Sequence, residues 1–293
     1  MKRIVFKVLS TIALAVTAIS VNAQQNQEPD YLCLTSHGNT SISVNRTYTG
    51  YDWKPLQLEY RINRNDWQQL SYRQEFDLQN NETIEFRCVN SGTNCFSRSN
   101  NEYIYFSTKG TGSVSASGNI MTLIDATGKA MDIPCEYCFY NLFSNCTNLI
   151  TAPSLPATNL TASCYESMFS GCSNLNSNLP TLPARQLENR CYANMFSGCT
   201  SLEYLPNNFL PSNNLAKECY SNMFGGCKNL VELPTLPARQ LAEGCYAGMF
   251  SGCSNIFQIP NNYLPAINLE ERCYASMFRH CTGLTRLGHV DKK

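Results

Sequence analysis

The sequence predicts a mixed α/β repeat protein: a small β-sandwich followed by a solenoid of six Cys- and Leu-bearing repeats. Three observations carry this. Twelve of the sixteen cysteines fall in six pairs of identical spacing, Cys138/Cys146, Cys164/Cys172, Cys191/Cys199, Cys219/Cys227, Cys245/Cys253 and Cys273/Cys281. The segment before them alternates apolar and polar residues with turn residues between, the pattern of short strands. The N-terminus carries a charged start and an apolar run of the kind that is removed on export.

The N-terminus sets the context. Lys2, Arg3 and Lys7 precede an uncharged stretch, residues 8–21, and Val21-Asn22-Ala23 has the small residues of a cleavage site before Gln24 and Gln25. Residues 1–23 are therefore expected to be a signal peptide. An apolar run of this length falls short of the roughly 20 residues that a membrane span needs, and no second such run follows. The chain from residue 24 is expected to be exported, to the cell surface, periplasm or extracellular space, without an integral membrane span. Lys plus Arg equals Asp plus Glu at 22 each. That balance argues against nucleic acid or an anionic membrane surface as partner.

Residues 24–126 are expected to form the β-sandwich. Candidate strands are the Leu56 to Ile62, Thr83 to Cys88, Tyr103 to Phe106 and Ile120 to Ile124 stretches. The Asn63-Arg64-Asn65-Asp66 segment reads as a hairpin turn. Short strands at close spacing suit a small sandwich. Residues 126–134 form the junction.

Residues 127–293 carry the repeats. Each reads Cys, aromatic, two residues, Met-Phe, two residues, Cys, two residues and an apolar residue, as in Cys191-Tyr192-Ala193-Asn194-Met195-Phe196-Ser197-Gly198-Cys199, and in the first five an apolar-Pro and a Leu-Pro step follow. The first copy departs, with Phe139 and Leu142 for Tyr and Met. Leu160, Cys164, Met168 and Phe169 recur at near-helical spacing and predict a helix in each copy. The Ser-Gly or Gly-Gly before the second Cys reads as its stop. The Leu-Pro segment reads as a short strand. One such unit cannot bury its own apolar residues, so stacking is required.

The Met-Phe-x-x-Cys-x-x-Leu pattern followed by apolar-Pro steps resembles the BspA-type leucine-rich repeats of surface proteins from Bacteroidetes. The resemblance covers roughly residues 135–293. Met and Cys stand where the commoner form has Ala and Ile, and the Pro segment is longer. The resemblance implies a leucine-rich-repeat solenoid with an exported or cell-surface role, and some members are viewed as adhesins for host proteins.

The cysteines allow two readings: six disulfides within repeats, or two buried columns of thiols, since free Cys packs as a small hydrophobe. On a continuous helix residues eight apart lie about 12 Å apart. A disulfide needs Cα atoms within about 7 Å, which favours the columns. Cys88 with Cys95 is a candidate local disulfide, and Cys33 with Cys135 a weaker one. Cys135-Glu136-Tyr137-Cys138 lacks the βαβ setting of a redox motif. Three histidines supply no zinc ligand set.

No Gly-x-Ser-x-Gly, phosphate-binding loop, His-Glu-x-x-His or dinucleotide fingerprint occurs. No catalytic residue, cofactor or metal is assigned, and an enzyme is not expected. Candidate binding residues are the variable positions on one solenoid face, Tyr204, Glu232, Phe257 and Arg286. Phe209 and Tyr263, in the insertions of repeats three and five, join them, though packing against neighbours is the plainer expectation for these two. Tyr51 and Trp53 are either sugar-binding or core residues. The function expected is adhesion to a host or envelope protein or glycan. The alternative is a structural envelope component with no discrete ligand.

Overall fold

The computed structural model describes residues 28–47, 56–89, 95–176, 179–206 and 208–287. The expected signal peptide, Tyr51 and Trp53 lie outside them. Residues Tyr31–Lys293 form one compact unit, and of the other, Met1–Asp30, only residues 28–30 are described.

The strands are β1 (Leu32–His37), β2 (Thr40–Arg46), β3 (Leu58–Ile62), β4 (Gln68–Gln69), β5 (Glu75–Leu78), β6 (Thr83–Cys88), β7 (Ile104–Gly110), β8 (Ser113–Ser117) and β9 (Leu149–Thr151). They build two sheets, one six-stranded in the order β4-β3-β6-β1-β8-β9 and one three-stranded in the order β5-β2-β7. Phe86 of β6 and Phe106 of β7 meet edge to face at 5.0 Å, and Tyr60 of β3 meets Phe76 of β5 at 4.4 Å. These rings fill the space between the sheets. The β3–β4 hairpin turns where Asn63 and Arg64 both have positive φ, at 51° and 60°, and the Asn65 N–H donates to the Ile62 carbonyl at 3.0 Å. Two successive left-handed residues make a primed turn, which opens the loop of residues 63–67 between the two strands.

Two sequence expectations fail locally here. Ile120–Leu123 is a single 3-10 turn rather than a strand, capped by the Asn119 side chain, which accepts from the Met121 N–H. All four of its residues are buried, so no period-two alternation separates the two forms. Cys88 is free and buried; the disulfide joins Cys95 to Cys135, with Cα atoms 5.8 Å apart. Both proposed pairings, Cys88–Cys95 and Cys33–Cys135, are therefore corrected. The bond ties the sheet region to the first repeat, a long-range partner that spacing alone does not reveal.

The expected mixed α/β leucine-rich-repeat solenoid is also corrected. The four-residue 3-10 turn is the one helix among the described residues, and the strands lie in two sheets without closing a solenoid. The backbone shows why no repeat carries a helix. Every fourth residue has a left-handed φ: Ser163, Ser167 and Gly171 in one repeat, Arg190, Asn194 and Gly198 in the next, Glu218, Asn222 and Gly226 after that. A left-handed residue ends a right-handed helix. The segment becomes a ribbon of four-residue turns in which Met168, Ser170 and Cys172 donate back three residues, to Tyr165, Ser167 and Phe169. The residues between them donate onward, Tyr165 to Cys191, Ser167 to Ala193, Phe169 to Met195 and Gly171 to Ser197. Half the N–H groups thus close turns and half join neighbouring repeats into a ladder.

Among the described residues, the expected strand of the Leu-Pro segment forms only in the first repeat, as β9, which pairs parallel with β8. At the equivalent place further on, one bridge stands, Gln258 with Arg286. Proline cannot donate to a strand ladder, and each of the first five segments carries two.

Candidate binding surface

The ladder positions everything the repeats display. Its interior is two ring stacks and two thiol columns. Phe143, Phe169, Phe196, Phe224, Phe250 and Phe278 stack near-parallel at 5.5–5.9 Å. Phe139, Tyr165, Tyr192, Tyr220, Tyr246 and Tyr274 do the same at 5.7–5.9 Å. The Phe stack runs on into the sheet region, where Phe106 lies on Phe143 at 5.0 Å. β7 thereby covers the first face of the ladder.

All twelve repeat cysteines are free and buried. The buried-column reading holds and the intra-repeat disulfides do not form. From Cys172 on, the thiols of the second column donate to the Phe carbonyl one repeat back, as Cys172 to Phe143 at 3.0 Å, Cys227 to Phe196 at 3.1 Å and Cys281 to Phe250 at 3.0 Å, while Cys146 donates to Phe106 of β7. Burial pushes the Cys146, Cys219 and Cys227 thiols up to about 12. A thiol held protonated is a poor nucleophile and a poor metal ligand. Among the described residues no group of three or more His, Cys, Asp or Glu is placed to hold a metal ion.

One polar ladder runs along the flank. Arg190 holds Glu166 in a two-point bond, at 2.6 and 3.1 Å, and also bonds Glu218 of the following repeat. The bonds to Glu166 raise the Arg190 pKa above its ordinary value. Lys217 and Glu243 repeat the motif at 2.8 Å. This network links three successive repeats, and nothing in the spacing of Glu and Arg signalled it.

The sequence-nominated residues divide. Tyr204 and Phe257 are 60% and 51% exposed, and Glu232 and Arg286 are exposed too. Tyr204, Glu232 and Arg286 each stand two places after a buried or half-buried Leu of their repeat, and Phe257 one place after Ile256. They share one edge of the ladder, where the Thr285 and Arg286 N–H groups both donate to the Phe257 carbonyl. Tyr204 borders a shallow groove of about 420 Å³ with Asn176, Ser201, Glu203 and Asn229. Phe209, by contrast, is buried at 3% exposure, its ring 5.9 Å from Phe196 and 6.1 Å from Phe224. Tyr263 is half-buried, 6.4 Å from Phe278, with its hydroxyl enclosed and without a hydrogen-bond partner. These two are packing residues, while Asn208, Asn261 and Asn262 beside them stay exposed.

A second aromatic cluster was not singled out from sequence. The Trp67 ring lies between the Arg61 and Arg87 guanidinium groups, at 4.5 and 4.1 Å, with Tyr31 edge-on at 4.9 Å. Glu85 and Glu59 pair with the two arginines. Every charge here has a partner, so the cluster braces β3, β4 and β6.

No helix among the described residues is long and apolar enough to cross a membrane. Compared with family models, curated proteins and solved structures, the chain matches none.

Proposed function

We propose that this chain is a non-catalytic exported binding protein, and that the repeat edge bearing Tyr204 and Phe257 meets a protein or glycan. The observation that carries the reading is the exposure of these two large rings on a backbone that the inter-repeat ladder holds fixed. Exposed aromatics on a rigid frame supply contact area at low conformational cost. Around Tyr204 stand Asn176, Ser201, Glu203 and Asn229, polar groups suited to directional hydrogen bonds. The BspA-like repeat motif and the export-like N-terminus support the same reading, with a host or envelope component as partner.

The test is binding of the purified chain to an array of glycans and extracellular-matrix proteins. Saturable binding that weakens about tenfold or more in Tyr204→Ala/Phe257→Ala, a size of effect usual for central aromatic contacts, is the expected result. A folded sample that binds nothing in the array would instead favour a structural role in the envelope.

A further inference from the structure

One more aromatic cluster stands where the sheet region meets the first repeat. Tyr103 and Tyr105 flank the buried Ile104, the first residue of β7. Residues two apart on an extended chain share a face. Tyr137 and Tyr140 sit on one turn of the first repeat, closed by the Tyr140 N–H on the Tyr137 carbonyl at 3.0 Å. Tyr140 meets Tyr103 edge to face at 5.2 Å. Tyr105 lies 5.8 Å from Tyr103, and Tyr137 meets Tyr140 edge to face at 5.7 Å. All four residues are half-buried.

Stacking of the repeats does not require these rings. The place of Tyr137 holds Ser163, Arg190, Glu218, Gly244 and Arg272 in later copies. The place of Tyr140 holds Glu166, Ala193, Ser221, Ala247 and Ala275. Nor do the hydroxyls act as struts. Those of Tyr60 and Tyr72 donate to the Gln68 side chain at 2.8 Å and to the Leu56 carbonyl at 2.9 Å. Those of Tyr103, Tyr105 and Tyr137 have no such partner among the described residues. The frame beneath the rings is nonetheless fixed. The Cys95–Cys135 bond lies two residues before Tyr137. The Thr47 N–H donates to the Tyr103 carbonyl and the Tyr103 N–H to the Thr47 hydroxyl, both at 3.1 Å.

We propose that this cluster binds a neutral oligosaccharide, its rings taking the C–H faces of the sugar. A phenol offers an apolar body and a polar tip together. A pyranose presents the matching pair, C–H groups on a face and hydroxyls around the rim. The Asn141 amide at the Tyr140 hydroxyl, with Glu166 nearby, supplies donors and acceptors for that rim. Arg190 is already shared between Glu166 and Glu218, so this flank does not favour an acidic sugar. Four half-buried rings offer far less than the roughly 800 Å² per side of a standard protein interface, which places a protein partner second. The cluster shares no residue with the Tyr204 and Phe257 edge, so either can fail alone.

The probes are tetrasaccharides of glucose, galactose, mannose and N-acetylglucosamine, titrated calorimetrically into the full chain. Saturable binding of at least one is expected, with NMR saturation transfer from tyrosine ring protons to sugar C–H protons. Tyr105→Ala/Tyr137→Ser, the serine copying Ser163, is expected to weaken it about tenfold or more while the thermal midpoint holds. Tyr105→Phe/Tyr137→Phe keeps the rings and is expected to keep most of the affinity. Tyr204→Ala/Phe257→Ala is expected to leave it unchanged. No binding of any probe, undiminished binding by the Ala/Ser variant, or loss of binding in Tyr204→Ala/Phe257→Ala would each overturn the proposal. A lowered midpoint with unchanged sugar binding would overturn it by making the cluster a seal of the joint. Binding of fibronectin through these rings, with none of sugar, would overturn it by assigning them to a protein.

Discussion

The two regions of this molecule bury similar apolar side chains by different backbone means. In the sheet region, β1 to β8 pair antiparallel across long sequence separations, and each side chain meets a different neighbour. In the repeats, each ring stacks on its own kind one repeat away and the thiols form buried columns, through a backbone that turns every four residues. The first solution relies on strand register. The second relies on a left-handed conformation at every fourth position and on thiols that stay protonated. The two regions therefore fail under different stresses.

High pH is expected to separate them most. The Cys146, Cys219 and Cys227 thiols sit near 12 in the folded chain against an ordinary 9.0. A raised thiol pKa means that the unfolded chain loses its proton first as pH rises. The stabilisation is complete below about pH 9 and is lost toward pH 12, at about 1.4 kcal/mol per pH unit for each thiol. Several thiols acting together predict cooperative alkaline unfolding of the repeats in that window. The sheet region holds only Cys33 and Cys88 as free thiols. Circular dichroism against pH checks this, and Cys219→Ser/Cys227→Ser is expected to flatten the slope.

Next in size is the covalent tie between the regions. Cys135→Ser removes the disulfide to Cys95 and the constraint on a 40-residue separation. A loss of about 3–4 kcal/mol follows from the loop length, measured by denaturant unfolding. An unchanged midpoint would mean that the stacked contacts of Phe106 on Phe143 suffice alone.

The smallest effects test the turn chemistry. Asn222, at φ 52°, also donates to Asn194 at 2.8 Å. Asn222→Ala is expected to cost about 1–2 kcal/mol, the usual penalty for an alanine held left-handed, with Asn222→Gly milder. Ser276, exposed at φ 55°, is expected to gain up to about 1 kcal/mol on change to Gly. No comparable gain is expected at strand positions of β1 or β6, where Gly loses side-chain packing and backbone order.

The sequence carried more of this than its helical reading used. The hairpin at Asn63 and Arg64 was legible because Asn63 tolerates positive φ and Asn65 and Asp66 add turn-forming residues. The repeat length and both cysteine columns were legible from spacing. The helix was misread because Leu160, Cys164, Met168 and Phe169 fit one helical face. The fuller set, Cys164/Tyr165, Met168/Phe169 and Cys172, recurs at four, whereas a helix drifts by about 40° over four residues. Asn194 with Gly198, and Asn222 with Gly226, mark the left-handed positions, and they were visible before folding. The Cys95–Cys135 bond and the Glu166–Arg190–Glu218 ladder were not, because both depend on which repeats and loops meet in space. Of the nominated surface, Tyr204, Glu232, Phe257 and Arg286 lie exposed along one edge. Phe209 and Tyr263 went inward, their rings packing beside Phe196, Phe224 and Phe278.

The measurement that bears most directly on the four-residue turn ladder is backbone chemical-shift mapping of residues 161–172 in the intact chain. Left-handed shifts at Ser163, Ser167 and Gly171, separated by right-handed residues, are the result the ladder predicts. Unbroken helical shifts from Thr161 to Ser170 would contradict it and restore a helix to each repeat.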